Sequence, residues 1–180
     1  MTASIATHPH VRWLVQRAET AERERDALRR QLNTDHLTCI ANRRGLEQRF
    51  TLHPHGTVAS ALMVDVDQFK TINDTHGHRT GDLVLCHVAK QLHRCAEPGD
   101  LPARVSGDEF VLWLRPTTSI TTARERAEQQ AARLQDTIPT GHPSVTAAVG
   151  IGVIHDPTRL EDVLMPADTD MYRHKTPHAA

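Results

Sequence analysis

The sequence predicts an α+β domain, a central sheet with helices on its faces, entered through one long helix. Three observations carry this. Residues 10–33 contain no Gly or Pro and are rich in Arg, Glu, Ala and Leu. Downstream, segments with apolar residues three and four apart alternate with short runs rich in Val and Leu. Two of those runs flank Ser106-Gly107-Asp108, which reads as a tight hairpin in the middle of the order. Helices alternating with strands around a hairpin put the chain in the α+β class.

Within residues 10–33, Val11, Ala18, Arg25 and Leu32 recur at a heptad interval, as do Leu14, Ala21 and Leu28. The seam is a weak one, because Arg25 and alanines occupy core positions. The same residues also suit a lone helix packed on its own domain. Residues 1–34 are therefore read as an N-terminal helix and candidate coiled-coil stalk, and residues 35–180 as the globular domain. A paired seam would make a parallel homodimer.

A helix is expected over Ala41–Phe50, then a loop with Pro54 and Gly56. Val58–Val66 is apolar and too short for a helix, which reads as a buried strand ending in Asp65-Val66-Asp67. A short polar helix runs to about Thr75. A turn flanked by Gly77 and Gly81 leads to a helix over Asp82–Cys95, with Leu85, Val88, Ala89 and Leu92 on one face. Pro98-Gly99-Asp100 breaks the chain before the hairpin strands, Leu101–Val105 and Glu109–Leu114. A helix over Thr121–Leu134, a strand over Val145–Ile154 and a helix over Leu160–Lys175 complete the domain.

Composition removes several function classes. Lys plus Arg (21) nearly balance Asp plus Glu (22), so no global field draws the chain to nucleic acid or an anionic membrane. Apolar runs such as Ala61–Val64 are far too short to span a bilayer, and the first residues lack a secretory pattern. The three cysteines lack CxxC spacing, which suits free thiols in the cytoplasm. The thirteen histidines include His53-x-His55 and His76-x-His78, but no second pair at structural-zinc spacing.

The acidic residues are more informative. Asp65 stands where an apolar strand runs out, and Asp108 and Glu109 stand at a hairpin tip. Carboxylates at neighbouring strand ends suit Mg²⁺, which takes one or two protein carboxylates and completes its octahedron with water and phosphate oxygens. Solvated turn acids would look the same in sequence. Asp67 reads as a cap for the following helix. The Gln68-Phe69-Lys70 turn offers free N–H groups and a positive charge to a phosphate. Asn73 and Asp82 can pair with a base edge, though both also suit turns and helix starts.

Six segments, in order, resemble the GGDEF family of diguanylate cyclases. They are Asp35-His-Leu-Thr-Cys-Ile-Ala-Asn-Arg-Arg44, Asp65-Val-Asp-Gln-Phe-Lys-Thr-Ile-Asn-Asp74, Gly77-His-Arg-Thr-Gly-Asp82, Arg104-Val-Ser-Gly-Asp-Glu-Phe110, Ala148-Val-Gly-Ile-Gly152 and Ala167-Asp-Thr-Asp-Met-Tyr-Arg-His-Lys175. The resemblance implies a mixed or antiparallel sheet like a polymerase or adenylyl cyclase palm. It implies condensation of two GTP into cyclic di-GMP with release of pyrophosphate. It assigns Asp65, the Val66 carbonyl and Asp108 to Mg²⁺ or Mn²⁺, two ions per site, and makes Asp108 the base for the attacking 3′-hydroxyl with Glu109 in support. Lys70 and the N–H groups of Gln68 and Phe69 would meet phosphate. Asn73 and Asp82 would hold guanine, with His78 beside it and Leu85 lining the pocket, and Lys175 would be a further phosphate contact. One domain holds one GTP, so the resemblance implies a homodimer of facing sites.

Four departures bear on activity. Ser106 replaces the motif's first Gly; if that position needs a positive φ, a Cβ there would cost on the order of 1 kcal/mol. Cys39 replaces another Gly. Glu97-Pro-Gly-Asp100 stands where an inhibitory Arg-x-x-Asp is expected, so feedback through it should be lost. The chain closes at Ala180 without the Arg expected after the last Lys, implying one triphosphate contact fewer. An active cyclase is the leading expectation, ahead of a weak or inactive GTP-binding regulatory module. A coiled-coil interaction protein explains none of the acidic positions.

Overall fold

A computed structural model describes residues 9–138 and 145–175. In chain order the elements are α1 (Pro9–Asn33), β1 (Ala41–Asn42), α2 (Arg43–Phe50), β2 (Val58–Val66), α3 (Phe69–His76), α4 (His78–Cys95), β3 (Leu101–Arg104), β4 (Glu109–Thr117), α5 (Ile120–Thr137), β5 (Ala147–His155) and α6 (Glu161–His174). The sheet order is β1-β3-β4-β2-β5, with β1 parallel to β3 and the other pairs antiparallel.

β2 is buried along its whole length because both sheet faces are covered, which is why it lacks polar alternation. Its alternate residues sort into two cores. Leu62, Val64 and Val66 join Phe110, Leu112, Leu114 and the apolar sides of α4 and α5. Ala59, Ala61 and Met63 join Val111, Trp113, Leu46 of α2, and Val163, Ala167 and Met171 of α6. Asp65 continues the second series, so it lies on the face covered by α2 and α6.

α6 sits close to the sheet for a reason visible in β5. Gly150 and Gly152 are two apart and therefore share one face. A Cβ on Gly150 would collide with the backbone of Ala167 and Met171, and one on Gly152 with the Val163 carbonyl. The two glycines thus seat the α6 backbone against the sheet. The Asp170 carboxylate accepts the Ile151 N–H at 2.9 Å, satisfying a donor of the marginal strand.

Several expected boundaries shift. Ala41 and Asn42 form a short strand beside Ala103 and Arg104 rather than opening α2. Asn42 instead caps α2, its side chain accepting the Gly45 N–H at 2.9 Å. Gly77, at φ 80°, is by itself the joint between α3 and α4. Gly81 lies inside α4, where a Cβ would strike Asn73 and Phe69 of α3. Its job is close helix packing, not turning. Residues 12–32 of α1 are exposed, including Leu14, Leu28 and Leu32, while its last turn meets α2 through Asn33 and Gln48. Among the described residues, no helix is long and apolar enough to cross a membrane.

Candidate active site

β2 and β4 bring their acidic ends together by register. Asp65 pairs directly with Glu109, so their side chains leave the same face of the sheet. The Val66 N–H donates to the Asp108 carbonyl at 3.2 Å, which fixes the hairpin tip beside the end of β2. Like charges placed directly opposite one another are destabilising. Burial, opposed by the Lys175 ammonium, raises the Asp65 carboxyl above its ordinary range, and the charges of Asp108 and Asp67 add to the rise. Glu109 is likewise raised, first by burial and then by Asp65, Asp108 and Asp168.

A cation meets this charge from α6. Lys175 Nζ stands 2.9 Å from Asp65 Oδ1. Its hydrogen bond to Asp65 raises the Lys175 pKa against burial, helped by the charges of Asp65, Asp108 and Asp67. Lys175 follows the end of α6, so the seat made by Gly150 and Gly152 is what delivers it. Among the described residues no three His, Cys, Asp or Glu side chains are grouped to ligate a metal by themselves. A hard cation here would lean on one or two carboxylates and on oxygens from phosphate and water. Val66 turns its side chain into the first core, leaving its carbonyl as the group it could offer.

The turn after β2 differs from expectation. Gln68 adopts a left-handed conformation (φ 52°), and α3 starts at Phe69 without a side-chain cap. Asp67 is one residue too early to cap it. Its carboxylate instead accepts the Thr146 hydroxyl at 2.6 Å, and its N–H donates to the Thr146 carbonyl at 2.9 Å. The α3 N-terminus therefore keeps uncapped N–H groups next to the acids, with exposed Lys70 in the same turn. Asn73 lies against Gly81, beside Asp82; Asp82 and His78 are exposed in the first turns of α4. Leu85, in contrast, is buried in the first core, so it supports this corner from below rather than lining it openly.

Other groups brace the hairpin. Arg104 donates twice to the Gly107 carbonyl, at 2.7 and 3.0 Å, and its guanidinium pairs with Asp35 at 3.2 Å. Burial pushes Asp35 up, but bonds from the Thr38 hydroxyl and N–H and from Arg104 outweigh it and hold the carboxyl low. Ser106 is exposed and, among the described residues, is not one of the non-glycine residues at positive φ, which are Cys39, Gln68 and Asp156. The backbone-strain argument against Ser106 is thereby removed. It applies to Cys39, at φ 59°. A cavity of about 500 Å³ adjoins the turn, lined by His36, Arg43, Arg44, Arg104, Ser106 and Gly107 among others.

Residues 32–179 match the family described as diguanylate cyclase, GGDEF domain. The chain belongs to the GGDEF family. It is 38% identical over 116 residues to diguanylate cyclase DgcM of Escherichia coli K12, which covers 64% of this chain and 28% of that protein. It resembles the coiled coil and GGDEF domain of DgcB from Caulobacter crescentus, solved in complex with c-di-GMP. That match has a TM-score of 0.66 and 26% identity over 92% of this chain and 93% of that one. Diguanylate cyclase SiaD of Pseudomonas aeruginosa, solved with its activator SiaC, gives a TM-score of 0.67 and 29% identity over 93% and 70% of the two chains. The palm-like fold of GGDEF domains is thus the fold of this chain. The GGDEF chain spans 28% to 37% of the length of the first curated relatives it matches.

Some features of this GGDEF domain were not read from its sequence. The Lys175–Asp65 pair and the Asp35–Arg104 pair join residues far apart in the chain. So does the network in which Arg126 of α5 holds Glu97 at 3.0 Å and Asp100 at 2.7 Å. One usable signal existed: glycines two apart in a strand announce a closely seated helix on that face.

Proposed function

We propose that this chain is a metal-dependent diguanylate cyclase module, joining two GTP into cyclic di-GMP with release of pyrophosphate, and that it works in the cytoplasm as a homodimer. The observation that carries the reading is the opposed Asp65–Glu109 pair, both carboxyls raised, with Asp108 beside it and uncapped helix N–H groups next to them. Clustered oxygen donors that one lysine only partly neutralises fit Mg²⁺ or Mn²⁺, with Asp65, Asp108 and the Val66 carbonyl as the holding groups. Such ions would neutralise charge on the reacting phosphate and align it.

The chain's own residues supply the remainder. The N–H groups of Gln68, just before α3, and of Phe69, its first residue, together with Lys70, receive phosphate oxygens. Asn73 and Asp82 pair with the guanine edge, with His78 alongside and Leu85 as underlying support. Lys175 exchanges its carboxylate partner for a phosphate when nucleotide enters. Asp108 accepts the proton of the attacking 3′-hydroxyl, and Glu109 supports the field around it. One domain presents one nucleotide, so the hydroxyl held by one subunit attacks the α-phosphate held by the other. Rate enhancement is then mainly positioning and charge neutralisation. The exposed stripe of α1 supports its role as the parallel stalk that aligns the two domains. No nucleic acid or membrane partner is part of this reading.

A second reading, a regulatory GTP-binding module of low turnover, draws on one observation: Lys175 already satisfies Asp65, so nucleotide has to displace an internal cation. Purified protein with GTP and Mg²⁺ or Mn²⁺, analysed for cyclic di-GMP by mass spectrometry, separates the two. Product that disappears in Asp108→Ala supports the cyclase. A GTP-induced rise in melting temperature without product supports the regulatory module, and neither result would leave both readings without support.

A further inference from the structure

Cys39 holds an unfavourable backbone conformation and gains no burial from it. Its φ is 59° and its side chain is exposed. A side chain bearing a Cβ is disfavoured in this region. The turn that imposes it is closed by two bonds, Cys39 N–H to the Asp35 carbonyl at 2.9 Å and Asp35 N–H to the Ile40 carbonyl at 2.8 Å. This turn is pressed onto α4, where the Cys86 thiol donates to the Leu37 carbonyl at 3.4 Å. Cys39 is two residues beyond that acceptor in the same tight turn. The sulfur of Cys86 is therefore already beside the backbone that carries Cys39. Burial raises the Cys86 pKa, and the charges of Asp82 and then Cys39 raise it further. The remaining cysteine, Cys95, is buried at the other end of α4 near Thr137.

We propose that Cys39 and Cys86 are a redox pair that closes to a reversible disulfide, tying the Asp35–Ile40 turn to α4. Hydrogen peroxide is the oxidant. The exposed Cys39 thiolate attacks one peroxide oxygen; the O–O bond breaks, hydroxide leaves and Cys39 becomes a sulfenic acid. The Cys86 sulfur then attacks the Cys39 sulfur. The S–S bond forms, the S–O bond breaks, and the sulfenic oxygen leaves as water with the Cys86 proton. In sum, two thiols lose two electrons and two protons, and peroxide is reduced to two waters. Transient disulfides of this kind are the form expected in a reducing compartment.

The link replaces the Cys86 hydrogen bond to Leu37 with a covalent tie. It sits one helical turn beyond Asp82, so oxidation fixes the start of α4 against the turn that Arg104 anchors through Asp35. Any effect on guanine binding rests on the cyclase reading; formation of the bond does not. The test is therefore chemical. The full chain is treated with hydrogen peroxide, blocked with an alkylating reagent, digested without reductant and mapped by mass spectrometry. A Cys39–Cys86 cross-linked peptide is expected, lost on adding dithiothreitol, missing from Cys86→Ser and retained in Cys95→Ser. The oxidised protein should also melt at a higher temperature, reversibly. Cys39 oxidised to a sulfinic acid while Cys86 stays fully alkylatable would overturn the proposal. So would a link through Cys95, or one that forms only after unfolding in urea.

Discussion

Two acidic clusters bracket β3, and they are built on opposite terms. Before the strand, Asp100 is fully enclosed, its side chain 0% exposed. It receives Arg126 at 2.7 and 2.9 Å, the Glu97 N–H at 2.9 Å and the Arg115 N–H at 2.8 Å. Glu97 shares the same guanidinium and accepts from Gln130 at 3.2 Å. Beyond the strand, Asp65 and Glu109 face each other with Asp108 alongside, and burial outweighs the help that Lys175 gives. The first cluster is sealed by donors, whereas the second retains repulsion. The contrast is what the proposed metal site rests on: acids left strained while others a few residues away are fully satisfied.

The comparison also bears on feedback. The sequence leads to the expectation that feedback is lost because Glu97 stands where the motif's Arg is expected. In the folded chain Glu97 and Asp100 are also committed to Arg126, so neither is available to a new ligand without breaking an internal network.

The largest expected effect comes from unsealing the first cluster. Arg126→Ala leaves the fully enclosed Asp100 without its cation and Glu97 with only the more distant Arg133 at 3.9 Å. It should destabilise the fold by about 3–5 kcal/mol, as removing one partner of a buried pair does, measured by urea unfolding. A loss below about 1 kcal/mol, the range of surface pairs, would mean this cluster is no better built than the other. In the second cluster the cost should fall on turnover. Asp108→Ala is expected to lower cyclic di-GMP formation on the order of a hundredfold or more, by analogy with loss of a charge-stabilising group, with melting temperature unchanged or higher. A matching collapse in stability would erase the distinction.

A third perturbation separates the acids from their cation. Gly150→Ala drives a methyl into the α6 backbone, and overpacking of this sort costs about 1–3 kcal/mol. It should also loosen Lys175 from Asp65, read as a fall in the Lys175 pKa by NMR. An unmoved lysine would show that the glycine seat does not position it.

The smallest effect is the dependence on pH. Glu109 is raised in the folded state, so that state binds its proton more tightly than the unfolded chain does. Stability tied to this carboxyl is present in acid and lost as pH rises through the elevated value. Glu109→Gln should therefore be more stable than the wild type near pH 7, with the gap closing on acidification towards the ordinary carboxylate range. Asp35 works the other way: its lowered carboxyl contributes stability at neutral pH that disappears only in stronger acid, as pH falls through its depressed value. A Glu109→Gln gap that stays constant down to about pH 5 would contradict the raised carboxyl.

Much of this was legible in the residues, and what was not has physical causes. The Val58–Val66 strand is readable end to end because burial on both faces leaves it apolar except at Ser60 and Asp65. β1 was hidden because two residues cannot show a period, and its partner Ala103–Arg104 is distant in the chain. Gly81 was misread as a turn because its reason is tertiary: it clears space for Asn73 and Phe69. Asp67 was misassigned because one left-handed residue, Gln68, shifts the helix start by a single position. The acids at 65, 108 and 109 could be named from motif order, but strand ends alone did not distinguish them from solvated turns. Only the register that sets Asp65 opposite Glu109 does. Arg126 gave no warning, since its partners lie in a loop that no helical spacing connects to α5.

The order β1-β3-β4-β2-β5 has one more consequence. Both strands that end in the strained acids are flanked on each side by a neighbour, while the rims of the sheet fall to β1 and β5. Fraying begins at rims, and the amides most protected from hydrogen exchange belong to interior ladders. The carboxylates therefore ride on the most persistent part of the scaffold, and thermal opening at either rim leaves their mutual spacing intact.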